Sequence, residues 1–73
     1  ISPNPTSGAY SINLGAIFDH AQISVTDVLG KLLDSYSFVR SQILNLSMEH
    51  PAGVYFISIQ TDNKKAVVRL VKQ

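Results

Sequence analysis

The sequence predicts an all-β domain, a small antiparallel β-sandwich of six to seven short strands. Three observations lead there. Apolar residues alternate with polar ones in several short runs, most cleanly at Ala21, Ile23 and Val25 against Gln22, Ser24 and Thr26. Turn signals built from Gly, Pro, Asn and Asp recur roughly every ten residues, the spacing typical of sandwiches. The chain has only 73 residues, so it makes one domain, 1–73, with a thin core. At this size only about 60% of the unfolded surface can be buried.

The elements follow in order. Residues 1–8, Ile1-Ser2-Pro3-Asn4-Pro5-Thr6-Ser7-Gly8, form a stiff lead-in. Each proline fixes its own φ and drives the preceding residue to extended geometry. The sandwich proper is assigned to 9–73. Tyr10, Ile12 and Leu14 mark a first strand, which Gly15 and the Asp19-His20 pair interrupt. Ala21 to Thr26 is the second strand. Asp27-Val28-Leu29-Gly30 places Asp first and Gly fourth, as a type I turn prefers, with Gly30 free to adopt positive φ. Val25, Leu29, Leu32, Leu33 and Tyr36 also fit a helical spacing, but Gly30 and the β-rich flanks oppose a helix. Lys31 to Val39 returns as a strand with Leu33 inward, and Ile43, Leu44 and Leu46 make a short one. Met48 to Ala52 reads as a surface loop ending at Gly53. Val54 to Thr61 is a strand with Tyr55, Ile57 and Ile59 on one face. Asp62 to Lys65 is a hairpin turn, and Ala66 to Lys72 a final strand packing Val68 and Leu70 or, with the register slipped by one, Val67 and Val71. Lys72 and Gln73 are expected at the surface, on an open edge.

Composition excludes several classes of function. The charged fraction is 15% and the net charge +1, which gives no footprint for nucleic acid. Lys64, Lys65, Arg69 and Lys72 read as a solvated edge. Cysteine is absent, so disulfide and thiolate chemistry are unavailable. The longest apolar run, Ala52 to Ile57, is far short of the ~20 residues of a membrane helix. His20 and His50, beside Asp19 and Glu49, sit in expected loops without a metal-ligand spacing. Nine serines are present, but no Gly-x-Ser-x-Gly elbow accompanies them. Asp27 and Asp34 read as turn and surface residues, and Asn45-Leu46-Ser47 as a chance sequon within a strand. No catalytic, cofactor or metal site is predicted.

Five short motifs occur in order: Pro3-Asn4-Pro5-Thr6-Ser7-Gly8, Ile23 to Lys31, Leu44-Asn45-Leu46-Ser47, Gly53-Val54-Tyr55-Phe56-Ile57 and Arg69-Leu70-Val71-Lys72. Together they resemble the type A C-terminal sorting domain of the type IX (Por) secretion system of Bacteroidota, over essentially the whole chain. Thr26 replaces a common aromatic and Arg69 a common lysine. The resemblance implies an immunoglobulin-like sandwich that is non-catalytic and is preceded by an exported cargo domain. Its implied partners are the outer-membrane type IX translocon and a sortase-type peptidase that removes it. The cargo's implied destination is the medium or the cell surface. The residues carrying the motif are Pro3, Asn4, Pro5, Gly8, Asp27, Gly30, Lys31, Gly53, Tyr55, Arg69 and Lys72. The competing expectation is an immunoglobulin-like binding or spacer module of a secreted protein.

Overall fold

A computed structural model describes residues 1–73. The chain is all-β, with four strands: β1 (Ala9–Thr26), β2 (Leu32–Ser47), β3 (Gly53–Thr61) and β4 (Lys65–Lys72). They form one antiparallel sheet in the order β2-β1-β3-β4. The structure thus has four strands in place of the six to seven expected. The residues taken as strand breaks are bends inside two long strands.

Geometry explains why those strands must bend. An 18-residue strand drawn straight would run about 60 Å. The longest dimension of the molecule is 32 Å. The bend lies between Asn13 and Phe18, where β1 advances five positions against two on β2. Gly15 takes φ 82° there, and its N–H donates to Asn13 Oδ1 at 2.8 Å. Across the ladder Arg40 adopts φ 47° beside Ser41, the partner of Phe18. His20, expected in a loop, stands in β1 opposite Val39.

The bend divides the long hairpin into two arms that share one core. Tyr10, Ile12, Leu44 and Leu46 come from the first arm. Ala21, Ile23 and Val25 come from the second, and Ile57 and Leu70 from the strands beside it. Alternation supplies these residues, since one face of each strand turns inward. Only 12 of the 73 residues are buried, so each carries a large share of the stability. Met48 is among them, contrary to its place in an expected surface loop. It continues the two-residue period of Leu44 and Leu46.

The residues of the lead-in are bonded into the fold. Ser2 and Ser11 exchange both backbone hydrogen bonds, at 2.9 and 2.7 Å. Thr6 bridges in parallel to Lys72 at the far end of the chain. Residues 1–8 thus join the outer flank of the first arm to the outer edge of β4.

The Asp27 turn closes the β1–β2 hairpin. Gly30 N–H donates to the Asp27 carbonyl at 3.0 Å, while Asp27 Oδ1 accepts from Leu29 N–H and Lys31 N–H, both at 2.9 Å. Gly30 has φ 84°, and a Cβ there would meet nothing within 4 Å. The backbone alone requires glycine. Gly30→Val is expected to lower stability by about 1–2 kcal/mol in urea unfolding, with Gly30→Asn much milder because Asn tolerates left-handed geometry.

Candidate recognition surface

The sequence motifs come from distant parts of the chain, and the strand register places them together. β1 and β4 end where β2 and β3 begin. Thr26 pairs with Phe56, Phe56 with Arg69, and Gly53 with Lys72. Asp27, Gly30 and Lys31 therefore share one end of the sheet with Gly53, Tyr55, Arg69 and Lys72. The lead-in, with Pro3, Asn4, Pro5 and Gly8, lies along the same end through its bridge to Lys72. The opposite end carries the Asp62 turn. All the motif residues are gathered at one end.

Their contacts differ in kind. Asn4 lays its carboxamide along β4, with Nδ2 donating to the Arg69 carbonyl at 2.7 Å and Oδ1 accepting from Val71 N–H at 3.0 Å. Lys72 is half-buried, and its Nζ donates to the carbonyls of Met48 and His50, both at 2.9 Å. It fastens the 48–52 loop rather than standing free at the surface. Gln73 N–H donates to the Thr6 carbonyl at 2.9 Å, so the last residue too is bonded in. The open edge expected there is occupied. Tyr55 is buried, and its hydroxyl donates to the Pro51 carbonyl at 2.5 Å. Gly8 and Gly53 lack positive φ, so neither is demanded by turn conformation. Lys31 and Arg69 are exposed and carry no ion pair.

Three contributors escaped the sequence reading. Thr6 is wholly buried at 0% exposure, with Oγ1 donating to the Ala9 carbonyl and accepting from Gly8 N–H. The Thr-Ser-Gly order is a hydroxyl-turn signal that could have shown it. Met48 was available from the strand period. The third, His50 Nε2 at 2.5 Å from Asp34 Oδ2, joins positions 16 apart and left no local sign.

Residues 1–73 match the secretion system C-terminal sorting domain family over the entire chain. The chain belongs to that family. No curated protein and no solved structure matches it. The sorting domain holds no group of three or more His, Asp or Glu side chains placed to bind a metal ion.

An open groove runs beside this end of the sorting domain, lined by Asp34, Tyr36, Asn45, Glu49 and His50 among others. Its charge reaches the core. Burial, then the neighbouring Tyr36 and Asp34, push the Tyr10 hydroxyl from 10.0 up to about 12. Tyr36 is raised too, by burial and by Asp34 and Glu49.

The folded state therefore favours neutral Tyr10. That contribution is complete below pH 10 and is lost as pH rises through 12. Two units correspond to about 3 kcal/mol. Melting temperature is expected to fall steeply above pH 10, and Tyr10→Phe to flatten that limb while leaving neutral-pH melting nearly unchanged. Thr6→Val keeps the shape and deletes two hydrogen bonds, so it should cost about 1–3 kcal/mol by denaturant titration, with Thr6→Ser near wild type.

Proposed function

We infer that this domain, as a member of the sorting-domain family, is a C-terminal sorting signal for type IX secretion that directs export across the outer membrane to a secreted or cell-surface location. We propose that the end of the sheet carrying the lead-in, the Asp27 turn and the β3–β4 termini is the surface the export machinery reads. One observation carries this reading. Motif residues as far apart in sequence as Asn4 and Arg69 meet at a single end. In this reading the domain is a non-catalytic label on a cargo that precedes it, and a sortase-type peptidase separates the two after passage.

The surface is also chemically suited to recognition without chemistry. Lys31 and Arg69 are exposed and unpaired, so they are free to meet carboxylates on a receptor. Charged rims of this kind govern encounter and selectivity more than stability.

The test is a periplasmic reporter carrying this domain at its C-terminus in a Bacteroidota host. Release is expected from the parent strain and not from one lacking the translocon. Lys31→Glu combined with Arg69→Glu should cut export about tenfold, a loss of ~1.4 kcal/mol in recognition. Asp62→Lys at the opposite end should leave export unchanged, and all variants should melt near the wild-type temperature. Equal release from both strains would overturn the sorting role. Full export of the double variant would move recognition elsewhere on the domain.

A further inference from the structure

The end strand of the sheet has an outer edge that is only partly covered. Residues 4–6 satisfy four consecutive backbone groups on it. Asn4 binds the Arg69 carbonyl and Val71 N–H. Thr6 N–H donates to the Val71 carbonyl at 2.8 Å, and the Thr6 carbonyl accepts from Gln73 N–H. Because outward-facing groups alternate along a strand, Val67 N–H, its carbonyl and Arg69 N–H point the same way. The lead-in does not reach them. Pro3 and Pro5 have no N–H to donate, so this cover cannot extend itself as a strand.

The uncovered stretch has a definite chemistry. Lys65, Val67 and Arg69 share the outward face of β4, all three exposed, with Val67 at 61%. Asp34 is hydrogen-bonded to His50, and neither Lys65 nor Arg69 has an acidic partner. Beside them on β3 stand Phe56, Ser58 and Gln60, none of them charged. The sheet's other edge, β2, is interrupted by Arg40 at φ 47° and carries Asp34, so it offers no matching row.

We propose that the outer edge of β4 is a docking edge for an extended, acidic β-strand of a partner protein, with the exposed Asn4 acting as a removable latch over Arg69 and Val71. A partner strand would pair first with Val67 and Arg69, where backbone groups are open, and set its carboxylates against Lys65 and Arg69. Displacing the Asn4 carboxamide then frees the Arg69 carbonyl and Val71 N–H, and backbone pairing extends to Val71, where Thr6 keeps its own bonds. Main-chain bonds supply the affinity in such strand addition and the alternating side chains the selectivity. For the partner's identity this rests on the sorting role, but the docking edge is a property of the isolated domain.

The experiment titrates the full 73-residue chain with a blocked hexapeptide of alternating glutamate and valine, followed by amide chemical shifts. Shifts are expected on residues 65–71 and not on β2. Asn4→Ala, which opens the latch, should bind about tenfold more tightly than wild type. Asn4→Asp keeps an acceptor for Val71 and loses the donor to Arg69, so it should give a smaller gain in the same direction. It also keeps the question open to test if the alanine variant folds poorly. Val67→Pro removes an outward N–H, a change tolerated on an edge strand, and should abolish binding with melting retained. A lysine–valine peptide should not bind. Equal affinity for wild type and both Asn4 variants, shifts confined to β2, or equal binding of the basic peptide would each overturn the proposal. None of these readouts involves export, so a failed sorting role would leave the binding result standing, and the converse holds.

Discussion

Closure of this molecule depends on the hydrogen bonds around one buried threonine. Thr6 has no exposed surface, so each of its polar groups needs a partner or would carry the full desolvation penalty. Its N–H and carbonyl go to β4 and to Gln73, and its hydroxyl goes to Ala9 and Gly8. One residue thereby ties the lead-in, the start of β1 and the end of the chain. Asn4 adds a side-chain imitation of a peptide unit one step earlier. Without this clasp the outer flank of the first arm and the edge of β4 would both be open to solvent.

The clasp matters because the sheet is bent rather than flat. Folding an 18-residue strand back at Gly15 lets Tyr10 and Ile12 share a core with Ile23 and Leu70. A straight sheet of the same strands would leave its apolar face open to water along its length. With so few buried residues, that difference decides whether the domain folds. The bend brings the arms together, and the lead-in fixes their spacing.

Much of this was legible in the sequence. The Asp27–Gly30 turn, β3 with Tyr55, Ile57 and Ile59 inward, and Leu70 in the final strand all follow from local period and turn chemistry. What failed was the distinction between a strand that stops and a strand that bends. Gly15 and the Asp19-His20 pair carry the same local signals in both cases, and only the ladder with β2 reveals continuity. The site divides in the same way. Sequence identified Asn4, Arg69 and Lys72, but their meeting spans more than 60 residues. Lys72 looked like a terminal surface lysine because its carbonyl partners, Met48 and His50, are set by loop geometry. Solvation was expected where the structure has a fastening.

The span of the clasp also imposes an order in time. Asn4 and Val71 lie 67 positions apart, and bringing such distant segments together incurs loop-closure entropy that local hairpins escape. The β1–β2 and β3–β4 hairpins can form as soon as their own residues are free. The seam between Thr6 and Gln73 cannot, because all four strands lie between its two sides. During synthesis the domain therefore stays unlatched until Gln73 has been added. Its finished shape is a record that the polypeptide reached that residue, and a chain truncated earlier would present an unsealed seam.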